Sequence, residues 1–476
     1  MAIRLTKIIA TLGPASGSKT IIRNLVAKGV NIFRLNLSHG DHETVRQWIH
    51  WIREVEKERH TFTGILLDLQ GPKIRVGKFE KGSILLKRGQ KVIFTTEKTM
   101  GSSSLVHVQY ARFHQEVGVG NRIYLDDGKL SGVVKGISGQ RVKVEMLVGG
   151  TLSDHKGLNL PDAQLSANPI TAKDKADLKF GLQEGVDMVA LSFTGSAKDV
   201  RQLRAMIRKE GGKGVEVIAK IERKQAVANL EEIAEAADGI MVARGDLGIE
   251  IPLTEVPVVQ QKILRQGARH AKPVIVATQM LESMIENPRP TRAEVSDVAG
   301  AVMDCADAIM LSGETAVGKH ATAAVGVMVE TALNTEAYLA ESRMIEPWNR
   351  FFQGDPNINE GITYSANRMV ELLRAKAMVV FTISGGTAKM VACPKPMVPV
   401  FAFTSNLKRA RLLSLVRGAV PFLVKDDRHL LLHMDQMIAM LKNKGLVKKG
   451  DRVVITTGIP VDIPNWTNVI RVEEVK

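Results

Sequence analysis

Hydrophobic positions along the chain follow two rhythms that alternate. Short runs rich in β-branched residues give way to stretches whose apolar positions recur near every 3.6 residues. Thr6–Leu12 (TKIIATL) reads as a strand ending at Gly13-Pro14, Ser18–Lys28 as a helix stopped by Gly29, and Val30–Leu37 as a second strand. Asp41 can cap the next helix, which puts Val45, Trp48, Ile49, Ile52 and Val55 on one face. Ile65–Leu69 is a third strand. Strand, helix, strand, helix, strand implies parallel pairing, because each crossover needs a helix to return the chain.

After Gly71-Pro72 the helical rhythm stops. Between Val76 and Pro161 the runs KVIFTT, RIYLDDG, LSGVVKG and RVKVEMLVGG are short, Gly-bounded and without a convincing helix, so this stretch reads as an inserted small β-barrel. The alternation resumes near Thr171, with strands expected at Met188–Phe193, Val215–Ile221, Gly239–Ala243, Pro273–Thr278 and Ala308–Leu311. Thr291-Arg292-Ala293-Glu294 is a capping box just after Pro288 and Pro290. Three strands before the insertion and five after it make eight, the count of a closed (β/α)₈ TIM barrel. Past Pro347 the strand-like runs AMVVFTIS, VPVFAFT and DRVVITTG point to a further α/β domain. The expected division is barrel over 1–70 and 169–345, inserted β-barrel lid over 71–168, and C-terminal α/β effector domain over 346–476.

Composition narrows the function. The net charge is +15, from 65 Lys+Arg against 50 Asp+Glu, which suits nucleic acid, an anionic membrane or anionic small molecules. The basic residues form no run of five or six and aromatics are only 4%, so base-stacking platforms are not expected. Anionic metabolites are the better match. Two cysteines, Cys305 and Cys393, exclude a disulfide framework or a Cys-based metal site and read as reduced, partly buried thiols. The opening MAIRLTKIIATLG is too short an apolar stretch for a signal peptide, and no run reaches the roughly 18 residues of a membrane span. A cytoplasmic protein with no nucleic-acid or membrane partner is expected.

In a TIM barrel the active site lies at the carboxyl ends of the strands. Those ends carry Arg34-Leu35-Asn36-Leu37-Ser38-His39, Asp68, Lys220-Ile221-Glu222, Arg244-Gly245-Asp246, Thr278-Gln279 and Ser312-Gly313-Glu314-Thr315. Chance supplies two or three polar strand ends, whereas six indicate a site. Glu222 and Asp246 could pair with Arg223 and Arg244, or converge on one hard cation and leave room for water and substrate oxygens. Lys220 could snorkel outward. Being two residues from Glu222, it shares that residue's side of the strand, so a lysine–metal–phosphate cluster is available. Arg34 and Arg75 could be surface ion pairs or anion clamps. The glycine of Ala243-Arg244-Gly245-Asp246 lets backbone N–H groups approach an anion. Together these residues indicate phosphoryl or carboxylate chemistry assisted by a divalent metal.

The stretches TKIIATLGPAS, NIFRLNLSHG, LLDLQGPKIRVG, IYLDDG, KGLNLP, VIAKIER, IMVARGDLGIE, ATQMLESMIENPRPTRAEVSDVA and AIMLSGETAVGKH resemble the pyruvate kinase family, and the likeness runs from Thr6 to Val472. The resemblance implies transfer of a phosphoryl group from phosphoenolpyruvate to ADP, giving pyruvate and ATP in glycolysis. Glu222 and Asp246 would hold Mg²⁺, with Mn²⁺ as a substitute, bridging the substrate carboxylate and enol oxygen. Lys220 would offset charge on the transferring group, and Arg34, helped by Arg75, would hold the phosphate. Ala243, Arg244 and Gly245 would cradle the carboxylate. Thr278 would lie by the water relay that protonates the enolate, with Ser312 and Glu314 in the same relay. Asn36 and His39 would face the nucleotide, and Asp127 would be a closing contact of the lid. A homotetramer is implied by resemblance alone.

Three departures from the family pattern carry expectations. Many members bind K⁺ through counterparts of Asn36, Ser38, Asp68 and the next carbonyl, that of Leu69, and carry Thr-Lys-Gly-Pro-Glu after the aspartate. This chain has Leu69-Gln70-Gly71-Pro72-Lys73, the pattern of the K⁺-independent bacterial branch, so the Lys73 ammonium can supply the charge K⁺ would bring beside the phosphates, the alternative being a solvated hinge charge. Many members place Arg-Lys shortly after Ser-Phe; here Thr194-Gly195-Ser196 follows, which leaves nucleotide preference open. Thr382, Ser384, Gly385 and Thr387 look like the family's effector loop, although capping hydroxyls at a plain helix start would read the same. Ile383 and the segment 457–462 offer no basic residue for a second phosphate. A mono-phosphorylated activator, a sugar monophosphate or AMP, is therefore expected over fructose 1,6-bisphosphate. The rival enzyme is a Mg²⁺-dependent barrel lyase or aldolase acting on pyruvate or phosphoenolpyruvate, and a basic nucleic-acid or scaffold protein is the non-enzymatic alternative.

Overall fold

The computed structural model describes residues 3–38, 40–163, 165–166, 168–342, 357–425, 434–459 and 466–476. His39 and positions 460–462 of the effector argument lie outside the described residues.

Eight parallel strands close into a barrel: β1 (Lys7–Leu12), β2 (Ile32–Asn36), β3 (Gly64–Asp68), β4 (Met188–Leu191), β5 (Glu216–Ile221), β6 (Gly239–Ala243), β7 (Val274–Ala277) and β8 (Ala308–Leu311). Each pairs with its sequence neighbour, and β8 returns to β1 with Lys7 opposite Ala308. The strands are buried on both faces because helices cover the outside and side chains fill the inside. Ile9, Leu66, Met188, Ile218, Met241, Ile275 and Met310 fill the interior, closed at one end by Leu412 and Leu415 of the C-terminal domain.

Local signals place the helices that return the chain. Ser18 caps Lys19–Lys28, which ends at Gly29 with φ +111°, and Asp41 caps His42–Arg59. The capping box of Thr291 and Glu294 starts Arg292–Met303. The strand at Gly239–Ala243 and that at Ala308–Leu311 match expectation to the residue, while the others shift by one or two positions.

Between β3 and β4 the inserted unit forms a six-stranded sheet and a two-stranded ribbon of Ser83–Leu86 with Gly150–Ser153. Phe94, Phe113, Ile123, Val134 and Val144 lie in its own core. A helical turn, Phe113–Glu116, interrupts the otherwise all-β stretch.

The C-terminal sheet has five strands in the order Ala419–Leu423, Val400–Thr404, Ala377–Phe381, Arg452–Thr457, Val469–Glu474, the last antiparallel. Sequence reading missed the two edge strands. One contains Pro421, and the other is half charged, both of which edges tolerate and central strands do not. Buried ion pairs dock this domain onto the amino ends of the barrel strands: Lys395 to Asp307 at 2.6 Å and Lys389 to Glu216 at 2.7 Å.

Candidate active site at the carboxyl ends of the barrel strands

The parallel register sets the site, because adjacent strands end at the same level. Asn36 is opposite Asp68, and Lys220 is opposite Met241 on the β5–β6 ladder. Residues 220 and 222 alternate onto the side facing the mouth.

Lys220 is the hub. Its ammonium donates to Ser192 Oγ at 2.7 Å and lies 3.4 Å from Asp68 Oδ1 and 3.3 Å from Glu222 Oε2. Burial opposes its charge, but Asp68, Glu222 and Asp246 outweigh that and hold its pKa above the ordinary lysine value. It stays an ammonium at any working pH. Asp68 is buried as well, yet Lys220 and then Arg34 pull it below the usual carboxylate range. Arg34 donates through Nε to Asp68 Oδ2 at 2.7 Å, with Nη2 at 2.6 Å from the same oxygen, and through Nη1 to Thr11 Oγ1 at 3.1 Å.

Glu222 is 2% exposed. Its Oε1 accepts the Phe193 N–H at 2.6 Å, whereas its buried Oε2 makes no hydrogen bond and has only the Lys220 ammonium near it, at 3.3 Å. Burial pushes its pKa up, and repulsion from Asp246 adds to that against the pull of Lys220. Asp246 opens the helix Arg244–Glu250 and makes no hydrogen bond or ion pair among the described residues. No group of three or more His, Cys, Asp or Glu converges among the described residues. Two carboxylates, one with a buried oxygen that makes no hydrogen bond, fit a hard cation that keeps water and substrate oxygens as its other ligands.

Arg244 is turned away from that pair. It donates through Nη1 to Asp297 Oδ1 at 2.7 Å and through Nη2 to the Thr278 carbonyl at 2.8 Å. Thr278 and Gln279 have φ of +67° and +54°, a left-handed backbone that costs a β-branched residue energy and is held here by those bonds. The Gly245 N–H donates to Thr278 Oγ1 at 2.8 Å, so the expected carboxylate cradle is engaged by that hydroxyl. Glu314, 2% exposed, accepts from Leu281 N at 3.0 Å and Ser312 N at 2.7 Å, while Ser312 Oγ is buried without a partner.

Other expected residues stand apart. Arg75 donates to His155 O at 3.0 Å within the inserted unit and makes no contact with Arg34. Asp127 is exposed, with φ +54°. Asn36 accepts from Ser38 N at 3.1 Å, and Leu69 O accepts from Ser192 Oγ at 2.7 Å. Lys73 is exposed and its ammonium reaches neither Asp68 nor Asn36. In the C-terminal loop Thr382 Oγ1 accepts from Gly385 N at 2.9 Å, Ser384 Oγ accepts from Gly386 N, and Thr387 pairs with Thr467 at 3.0 Å.

Sequence reading omitted Thr11 and Ser192, the polar groups ending β1 and β4. The rule that found the other strand ends would have found them. Phe193 N–H and Asp297 had no such signal, because backbone donors and a helix carboxylate 53 positions from Arg244 meet only in space.

Fold and site define a parallel-barrel enzyme whose strand ends gather buried cations and carboxylates at one mouth. A family model described as "Pyruvate kinase, barrel domain" matches residues 3–325, and one described as "Pyruvate kinase, alpha/beta domain" matches 360–473. The chain is 42% identical to pyruvate kinase 2 of Synechocystis over 99% of its length and 80% of the relative's. To the Thermotoga maritima pyruvate kinase it is 41% identical, covering 99% of this chain and all of that one. The crystal structure of a pyruvate kinase from Cryptosporidium parvum superposes with a TM-score of 0.94 at 34% identity, over 99% of this chain and 96% of that one. The chain belongs to the pyruvate kinase family and is a phosphotransferase. Among the described residues no helix is long and apolar enough to cross a membrane.

Proposed function

We propose that this enzyme transfers the phosphoryl group of phosphoenolpyruvate to ADP at the ends of β2, β3, β5 and β6, in the cytoplasm and without a K⁺ requirement. The observation that carries the reading is the convergence of Lys220, Arg34, Asp68 and Glu222 within 3.4 Å contacts. Arg34 holds the phosphoryl oxygens, exchanging part of its grip on Asp68 for the incoming anion. Lys220, fixed by Ser192, aims its charge at the oxygens that gain density as the P–O bond loosens. Glu222 and Asp246 would hold Mg²⁺, which would supply positive charge to the substrate carboxylate and enol oxygen. Gly245 N–H would turn from Thr278 Oγ1 to the substrate carboxylate, which frees that hydroxyl for the proton relay toward the enolate carbon. Ser312 Oγ, buried and unpartnered, is placed to join the relay, and Glu314 keeps its backbone in place.

K⁺ independence rests on Lys73, which follows the turn at Gly71-Pro72 into the inserted unit and needs closure of that unit to approach the phosphates. Arg75 and Asp127 stand on the same unit and would arrive with it, and Asn36 would face the nucleotide. A mono-phosphorylated effector at Thr382–Thr387 would have to displace the loop's internal hydroxyl bonds, and Ile383 leaves no second cation there. A homotetramer is proposed from the family.

The test is pyruvate formation from phosphoenolpyruvate and ADP with Mg²⁺ and tetramethylammonium, with KCl then added. Full activity before KCl supports both parts. Activity that appears only with KCl keeps the reaction and refutes the Lys73 argument. Cleavage of a 2-keto acid without ADP would instead establish the lyase.

A further inference from the structure

Among the described residues, the arginines and the lysine at the ends of β2, β5 and β6 and at the base of the inserted unit are engaged, whereas Arg223 is not. Arg34 is tied to Asp68, Lys220 to Ser192, Arg244 to Asp297, and Arg75 to a carbonyl. Arg223 follows Glu222 at the end of β5, in extended backbone with φ −126° and ψ 148°, and opens the helix Lys224–Ala228. It is half-buried, and its guanidinium makes no hydrogen bond or ion pair among the described residues. The carboxylate that feels its charge is Glu250, one helical turn beyond Asp246. Lys224 beside it is exposed, and its charge acts on Asp162 of the inserted unit. The start of this helix therefore faces the gap between barrel rim and insertion.

The neighbouring wall offers no cation. The Thr194-Gly195-Ser196 turn spends its polar groups internally: Thr194 Oγ1 donates to Leu191 O at 2.9 Å, and the Gly195 and Ser196 N–H groups donate to Asp199. Asn229 Nδ2 donates to Gly195 O at 2.7 Å, and Gly195 packs on Gln225. With no hydrogen bond and no carboxylate within ion-pair distance among the described residues, and only the charge of Glu250 to offset its own, this half-buried guanidinium of Arg223 is open to an anion, and its planar fork fits phosphate oxygens.

We propose that Arg223, assisted by Lys224, binds the phosphate chain of the nucleoside diphosphate acceptor. In the proposed site Lys220 and Arg34 serve the phosphate of phosphoenolpyruvate, so Arg223 and Lys224, the latter acting on Asp162 of the inserted unit, are left for the acceptor. This rests on the reading that ADP is the acceptor.

Steady-state kinetics of the full chain with Mg²⁺ test it, varying ADP at saturating phosphoenolpyruvate and the reverse. A charge-assisted contact of ordinary strength predicts that R223Q raises KM for ADP about ten- to hundredfold. KM for phosphoenolpyruvate and kcat stay within about twofold, since the contact is uniform binding of one substrate. R223K recovers part of the loss and K224Q gives a smaller rise in the same constant. An ADP KM within about twofold of wild type in R223Q, or a parallel rise in KM for phosphoenolpyruvate, overturns the assignment. Should R223Q fail to fold, R223K decides by the same comparison. A wild-type enzyme that makes no pyruvate from phosphoenolpyruvate and ADP removes the acceptor itself, and that outcome is read before any variant is compared.

Discussion

The ring of Phe193 occupies the space that Gly71 leaves empty. A Cβ at position 71 would come 2.6 Å from Phe193 Cδ2, and Gly71 has φ +69°. Phe193 is itself left-handed, with φ +55°, and its N–H holds Glu222 Oε1 at 2.6 Å. The turn into the inserted unit thus bears directly on the residue that orients a proposed metal ligand. Asp174 tightens the same turn by accepting the Gly71 N–H at 3.2 Å. G71A is expected to displace Phe193 and lower apparent Mg²⁺ affinity roughly tenfold, by the logic of groups that orient ligands. Activity titrated with Mg²⁺ checks this; an unchanged midpoint with lowered kcat would place the defect elsewhere.

In the proposed mechanism the Lys220 ammonium has to be aimed at the transferring group, and its bond to Ser192 would aim it. K220Q keeps a donor of similar reach but no charge, and kcat is expected to fall about 10²- to 10³-fold. S192A keeps the charge and loses the 2.7 Å bond, so a fall of about tenfold in kcat is expected with KM for ADP nearly unchanged. Comparable losses in both variants would show that Ser192 does more than position.

Lys73 gives a charge-reversal test. On the proposal that the Lys73 ammonium takes the place of K⁺, wild-type activity is expected to change less than about twofold on adding KCl. K73E should lose activity in K⁺-free buffer and regain it with KCl at about 100 mM, where tetramethylammonium at equal ionic strength does not help. Recovery with either salt would reduce the effect to screening.

Lys7 is buried at the amino end of β1, where it donates to Ala419 O at 2.6 Å. Burial and then Arg4 pull its pKa down to about 7, with Glu336 and Asp307 opposing and Arg417 adding to the fall. A lysine depressed in the fold binds fewer protons than the unfolded chain between pH 7 and its ordinary 10.5, so stability rises with pH across that window. Below pH 7 the penalty is constant. From pH 7.5 to 9.5 this one group adds on the order of 2 kcal/mol. K7M removes the gradient, so its Tm relative to wild type should be more favourable at pH 7 than at pH 9.5. A pH-independent difference would mean that Lys7 stays charged in the fold.

Much of this protein was legible because its signals are local. The alternation of Thr6–Leu12, Ser18–Lys28 and Val30–Leu37 needs only side-chain period and caps, and β1, the helix after it and β2 follow within two residues. Once eight such units close a barrel, polar strand ends must meet at one mouth, so Arg34, Asp68, Lys220, Glu222 and Asp246 could be named from position alone.

What the chain could not declare is which bond each group makes there. Asp68 was placed in the region where many relatives hold K⁺, and in three dimensions it is compensated by Lys220 and Arg34. Lys73, expected to bring its ammonium beside the phosphates, is exposed in the structure. Ser192, the Phe193 N–H and Asp297 acquire partners only when β4, β5 and the helix Arg292–Met303 are brought together. Secondary structure follows from neighbours within a few positions, which the sequence prints in order. Pairing of these polar groups depends on distances of 2.6 to 3.4 Å between residues 28 to 152 positions apart, and those only the closed barrel sets.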